Sequence, residues 1–260
     1  MVNGSDELAG FYEATYSASE AEAEHWSRWR ALGAVGKADH VVALSRRAAV
    51  APAAVLDIGC GDGALLSELH TRAFAARLCG LEISERAVEI ARGRPGIASV
   101  EVYDGARVPF DDASFDLGIL SHVLEHVRDP PGLLAEAARA CRAVVFEVPL
   151  EANWSARRAG KRVHADEVGH LQRLDRDAAR TLASAAGLAV AAELDDALPL
   201  AVHRFLARTA RGRGAASAKW ALRTSAHALA PALARRAFTV HYAALCVPLS
   251  AGRRSPAPGV

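Results

Sequence analysis

The stretch VLDIGCGDG, residues 55–63, restricts the fold of this chain more than any other part of it. An apolar run with branched side chains ends in glycines at 59, 61 and 63, which reads as a buried strand running into a tight turn and then a helix. Similar apolar runs recur at 76–83, 99–104, 115–123 and 142–149, and helical patterns such as ALLSELHTRAFA and PGLLAEAARAC lie between most of them. This alternation predicts an α/β fold, a parallel sheet covered by helices on both faces.

The flanks fill in the layout. From Ser17 to about Ala49 the text is rich in Ala and Glu, free of proline, with Leu, Val and Trp at helical intervals, so one or two helices are expected. After Pro149 come a polar stretch to Arg173, a helix over RDAARTLASAAG, a strand over LAVAAEL, an Ala/Arg-rich helical region from about Leu200 to Arg236, and a strand over TVHYAALCVP. The divisions expected are a helical cap over 1–49, a core over 50–198, a helical insertion over 199–236, a last core strand over 237–250 and a flexible tail over 251–260.

Bulk properties exclude several functions. Among 260 residues the net charge is only +1, with acids and bases interspersed, so the chain lacks the footprint of a nucleic-acid binder. The first twenty residues have no basic region followed by an apolar one, and a cytoplasmic protein is expected. The apolar segment 237–251 falls short of the ~20 residues that cross a bilayer and contains His241 and Pro248. No transmembrane segment is therefore predicted. Cys60, Cys79, Cys141 and Cys246 form no metal-like or redox-like pair, and are read as buried, reduced, structural thiols.

Two acids decide what the glycine turn holds. A pyrophosphate needs uncompensated N–H donors at such a turn, and the carboxylate of Asp57, two residues before the first glycine, would repel it. S-adenosylmethionine brings the opposite charge, a sulfonium and an ammonium, and Asp57 favours it. Glu82 ends the second strand 19 residues beyond Gly63, where a carboxylate accepts ribose hydroxyls of either cofactor.

VLDIGCGDG, GLEIS, DGARVPFDDASFD and ILSHVLEHVRDP, in this order and spacing, resemble the class I S-adenosylmethionine-dependent methyltransferases. The resemblance covers about residues 50–150 and is nearest to the branch holding ubiquinone and menaquinone biosynthesis enzymes and natural-product methyltransferases. It implies a Rossmann-like seven-stranded sheet with an antiparallel last strand, and S-adenosylmethionine as cofactor. It also implies that Asp57, Gly59, Cys60, Gly61 and Gly63 cradle the methionine portion, while Glu82 holds the ribose and Ile83 packs on the adenine. Asp104 would bond the adenine amino group beside the backbone of Gly105 and Ala106. Ser121 would line the methyl side. In similar enzymes N-terminal helices fold over the donor; of the aromatic residues there, Tyr12 and Tyr16 share a helical face, and Tyr16 is the one taken as a donor contact.

Methyl transfer mainly requires alignment and, where needed, removal of a proton. His122 directly follows the fourth strand, at the edge where open α/β sheets bind ligands, and is the candidate base; His126 and His170 are the other candidate catalytic residues. Some relatives place Glu-x-x-Glu-His here to bind a divalent metal. This sequence has His122 at the first position with Glu125 and His126 following, and His164 and His170 downstream. That set departs from a magnesium pattern, Glu125 and His126 read equally as the approach to a helix capped by Asp129, and no metal is assigned. The link between the last two strands is long enough to form a lid, and its leucines, alanines and arginines fit an apolar acceptor with a carboxylate or phosphate, a solvated helix pair, or a surface resting on membrane. The expected function is methylation of a small molecule, at a hydroxyl oxygen first, with nitrogen and carbon open. The alternatives are an NAD-dependent oxidoreductase, a methyltransferase of protein or RNA, and a cofactor-binding module without catalysis. Oligomeric state is not legible.

Overall fold

The computed structural model describes residues 10, 13–14, 16, 19–158, 169–197, 199–205, 207 and 209–249. Tyr12, His164 and the tail over 251–260 lie outside them. Helix α1 (Glu20–Arg47) is followed by β1 (Ala54–Ile58), α2 (Ala64–Thr71), β2 (Arg77–Glu82), α3 (Glu85–Arg92), β3 (Ser99–Val102) and β4 (Phe115–Ser121). Then come α4 (Pro130–Ala140), β5 (Cys141–Pro149), α5 (Arg176–Ala185) and β6 (Leu188–Asp196). Three helices, α6 (Leu200–Phe205), α7 (Ala210–Leu229) and α8 (Pro231–Ala237), precede β7 (His241–Pro248).

The seven strands form one sheet in the order β3-β2-β1-β4-β5-β7-β6. β1 to β5 pair in parallel, while β7 runs antiparallel between β5 and β6. The strand order reverses between β1 and β4, and ligands of open α/β sheets bind at the carboxyl end of such a crevice. The Ala/Glu-rich N-terminal pattern forms one helix of 28 residues. The run 99–104 stops pairing at Val102 and the run 115–123 at Ser121, because their last residues leave the sheet to form the ligand-side loops.

Both faces of the sheet are buried, and strand alternation sorts side chains between them. Leu56, Ile58, Val144, Phe146, Tyr242 and Ala244 pack with α4 and α5 residues such as Leu133, Leu134 and Ala179. Val55, Leu117, Ile119, Ala143, Val145, Ala243 and Leu245 pack with α1 residues Ala38, Val41 and Leu44 and with α2. Period two therefore puts Asp57, Ser121, Glu147 and His241 on the α1 face, each at the ligand-binding edge. All four cysteines are buried and free, as expected for structural thiols. No described helix is long and apolar enough to cross a membrane.

Close packing under the glycine turn depends on Gly80 in β2, where an added Cβ would lie 2.5 Å from Cys60 Sγ and 3.1 Å from Leu66 Cδ1. Gly80→Ala is expected to destabilise the chain by about 1–3 kcal/mol, seen as a lower denaturant midpoint at unchanged slope.

Candidate active site

One flank of the sheet edge is built around the turn that leaves β1. Gly59, Gly61 and Gly63 all have positive φ, and Gly63 starts α2 from the left-handed region. The turn is covered closely: a Cβ on Gly59 would lie 2.5 Å from Val123 Cγ2, and one on Gly61 would lie 2.6 Å from the Tyr16 hydroxyl. Tyr16, with the Arg30 guanidinium 4.7 Å from its ring centroid, thus lies over the glycine turn. Cys60 contributes backbone there; its thiol points into the core beneath Gly80, and burial raises its pKa.

Glu82 is buried and fixed by three backbone donors. Gly61 N–H donates to Oε2 at 2.8 Å, while Ile83 and Ser84 N–H donate to Oε1 at 2.8 and 3.2 Å. Oε1 is saturated, which leaves Oε2 the acceptor with a free lone pair for a ribose hydroxyl. Glu13 accepts from Ser84 Oγ at 2.8 Å, tying the N-terminal segment to this strand end. Ile83 and Gly105 face each other at 3.3 Å from the position of a Gly105 Cβ, as the walls of an adenine slot would. Asp104 spends Oδ1 on its own turn, accepting from Ala106 and Arg107 N–H at 2.9 and 2.7 Å.

Asp57 is 2% exposed, and no described residue hydrogen-bonds its carboxylate. Burial pushes its pKa up to about 7, with Lys37 opposing and Glu82 adding to the shift. A buried acid so placed calls for a cation, and the ammonium of S-adenosylmethionine is one. The residues present therefore fit that cofactor.

Asp62, in the same turn, is a residue whose role the sequence pattern does not reveal. It is 1% exposed and bridges Arg30 of α1 and Arg94, each at 2.9 Å, so the turn is clamped to the cap helix.

On the other flank of the same sheet edge lies a buried chain of imidazoles and carboxylates. His122 sits in the loop after β4 with φ +60°, its N–H donating to Glu147 O at 2.9 Å. Its Nδ1 lies 3.0 Å from Glu125 Oε1, and its Nε2 lies 3.1 Å from His241 Nδ1 and 3.5 Å from Glu147 Oε1. Both ring nitrogens of the expected base are therefore engaged. Glu147 Oε1 is 3.3 Å from His241 Nδ1, and its Oε2 meets Ser121 Oγ and His40 Nδ1, both at 3.4 Å. The His40 Nδ1 contact is one of charge without hydrogen-bond alignment; His40 Nε2 lies 3.0 Å from Asp196 Oδ2. His126 and His170 form a separate pair with ring centroids 4.8 Å apart, held through Gly169 O and Glu151.

Burial alone would raise the Glu147 carboxyl, but the imidazoles of His122, His241 and His40 around it hold it well below the usual range. Burial lowers His241 and His126, while His122 is raised because Glu125 and Glu147 outweigh burial and Lys37. Sequence reasoning missed Glu147, His241 and His40. The signal available was the single acid inside the apolar run RAVVFEVP.

Residues 35–193 match the methyltransferase domain family, and the chain belongs to it. S-adenosylmethionine is the cofactor of this family. The chain is 32% identical over 127 residues to a ubiquinone biosynthesis O-methyltransferase of Aromatoleum aromaticum, covering 44% of this chain and 50% of that one. The first curated relatives are spanned over between 30% and 50% of their length. Among solved structures, geranyl diphosphate C-methyltransferase of Streptomyces coelicolor A3(2) shares the fold at a TM-score of 0.61 and 13% identity, covering 95% of this chain and 98% of that one. The [4+2]-cyclase SpnF does so at 0.56 and 19%, covering 82% and 81%.

His40 makes stability depend on pH. Burial lowers its pKa, yet Asp196 and Glu147 push it up to about 10 from the ordinary 6.5, so its ion pairs contribute fully below pH 6.5 and are lost as pH rises through about 10. Between these limits the folding free energy is expected to fall by about 2 kcal/mol more in the wild type than in His40→Gln, measured by denaturant titration across that window.

Proposed function

We propose that this chain transfers a methyl group from S-adenosylmethionine to a hydroxyl oxygen of a small organic acceptor. The observation that carries the reading is the buried carboxylate of Asp57, which accepts no hydrogen bond from any described residue, beside a turn of positive-φ glycines, with Glu82 on the next strand. The bound donor supplies an electrophilic methyl group on sulfur with a neutral thioether as leaving group.

In this reading Asp57 binds the ammonium and Glu82 Oε2 a ribose hydroxyl. The backbone of 59–63 approaches the methionine portion closely because it carries no side chains in the way. Ser121 and the imidazole–carboxylate chain from His122 to His40 form the polar wall of the acceptor side, where a hydroxyl loses its proton. His126 and His170 stand beside it, linked to His122 through Glu125. The ubiquinone biosynthesis and natural-product O-methyltransferases among the relatives favour oxygen over nitrogen or carbon.

Helices α6 to α8 connect β6, which ends at the ligand edge, to β7, which begins there, and serve as the lid. They are tethered at several points: His227 and Arg235 to Asp195 at 2.9 Å each, Phe205 against His25, and Trp154 N–H to Arg236 O at 2.8 Å. Exposed Leu222, Leu229 and Leu233 on this segment suit an apolar acceptor or a brief contact with a membrane surface. The charge of Lys37, felt by Asp57, His122 and His241, suits an anionic group on the acceptor. Four reduced cysteines agree with a cytoplasmic setting.

Two measurements test this. Small-molecule extracts incubated with the protein and S-adenosylmethionine should gain a species heavier by one methyl group, detected by mass spectrometry; methyl groups found only on protein or RNA would overturn the acceptor class. Calorimetry of donor binding between about pH 5.5 and 7 should show affinity rising by up to about tenfold per pH unit, because Asp57 must lose its proton before it pairs with the ammonium. Asp57→Asn should bind more weakly and without that slope. A flat wild-type profile would remove the ammonium site.

A further inference from the structure

We propose that His122 Nε2, Glu147 Oε1 and His241 Nδ1 are the ligands of a divalent first-row transition ion, zinc being the best match. The three atoms form a triangle with sides of 3.1, 3.3 and 3.5 Å. The edge of a tetrahedron with metal–ligand bonds of about 2.0–2.1 Å is about 3.3 Å, so an ion seated above this triangle reaches all three atoms at bonding distance.

The donor set is two imidazoles and one carboxylate, neutral nitrogen with a hard anion, which suits zinc or iron better than magnesium. Three protein ligands leave a coordination position open. Exposure places that position: Glu147 is 4% exposed at its side chain and His241 11%, while His122 keeps 22% and directly precedes Val123, which lies against Gly59. The open position therefore lies on the side where donor and acceptor meet.

Surrounding groups hold the ligands as a metal site requires. His122 Nδ1 is fixed by Glu125 Oε1 at 3.0 Å, which leaves Nε2 to coordinate; the second oxygen of Glu147 meets Ser121 and His40 at 3.4 Å. The backbone adds an independent sign. His122 adopts φ +60°, an unfavourable conformation for a side chain of its size, and this conformation is what brings its ring over β5 and β7.

These ligands differ from the contiguous set that the HVLEH motif brings to mind, since Glu125 serves as an outer support and His126 belongs to the pair with His170. The role of the ion is to bind an oxygen, from water or from the acceptor hydroxyl, and for that role the proposal rests on methyl transfer to oxygen. The binding itself does not.

The test uses the full chain stripped with a chelator and dialysed, then titrated with zinc against a chromophoric competitor, without donor or acceptor. One equivalent should bind, and zinc-edge X-ray absorption should show two imidazoles with oxygen donors. His241→Ala and Glu147→Gln should each weaken binding by at least about 100-fold, with circular dichroism confirming the fold, while His126→Ala should leave it unchanged. Absence of tight binding in the wild type would overturn the proposal, as would a zinc spectrum with fewer than two imidazoles. Loss of binding in His126→Ala but not in His241→Ala would do so too, moving the ion to the neighbouring pair. Zinc bound as described without any methyl transfer would leave this site standing and sink the activity alone.

Discussion

A parallel sheet buried on both faces gives its polar side chains nowhere to go except each other, and this constraint organises the whole site. Asp57, Ser121, Glu147 and His241 occupy the α1 face at the strand ends. Water does not reach most of them, so each needs a partner in the fold or in a ligand. Glu147 finds three imidazoles, and Ser121 finds Glu147. Asp57 feels the charge of Lys37 but accepts a hydrogen bond from none of the described residues, and this difference sets it apart from the internally balanced groups of the edge. Burial that would penalise an ordinary structural acid becomes a preference for a cationic ligand.

The same helix closes both sides. On α1, Arg30, Lys37 and His40 are spaced seven and three residues apart, within one helical face. Arg30 grips Asp62 in the glycine turn, and His40 reaches Glu147 and Asp196 on the other flank. Moving α1 would therefore loosen the donor turn and the imidazole chain together. Those contacts are ionic and partly buried, strong in place and poorly replaced once broken, so the cap is built as part of the core rather than as an appendage.

Much of this was legible in the sequence. The βα alternation gave the parallel sheet, the alternating glycines marked the turn, and Asp57 and Glu82 could be placed because each falls at a fixed step from a strand end. Strand ends were overrun by two residues at both 99–104 and 115–123, since apolar character continues past the last ladder bond at Tyr103 and Val123. What stayed hidden was long-range pairing. Nothing local to HYAALCVP says that its first residue lies beside Glu147, about a hundred residues earlier; only the antiparallel insertion of β7 between β5 and β6 makes that so. His40 was hidden for the same reason, as a histidine in a helix whose facing strand cannot be read from its own spacing. Nothing local to Asp62 marks it out, and only the fold shows Arg30 and Arg94 converging on it.

The backbone of His122 ties these threads together. Among the described residues seven glycines have positive φ and adopt it without steric penalty, while four others do so, Ala49, Ala73, Ala113 and His122. Three of these are alanines in turns, the smallest side chains that carry a Cβ. His122 is the one bulky case, and a conformation of this kind costs on the order of 1–3 kcal/mol. A turn needing only the geometry would be met by glycine or asparagine. The imidazole is kept in spite of the backbone, held by its own N–H to Glu147 O and by Glu125 at Nδ1. The strain is thus offset by one backbone hydrogen bond and one made by the ring itself, and their joint effect is to aim the other ring nitrogen at the junction of β5 and β7.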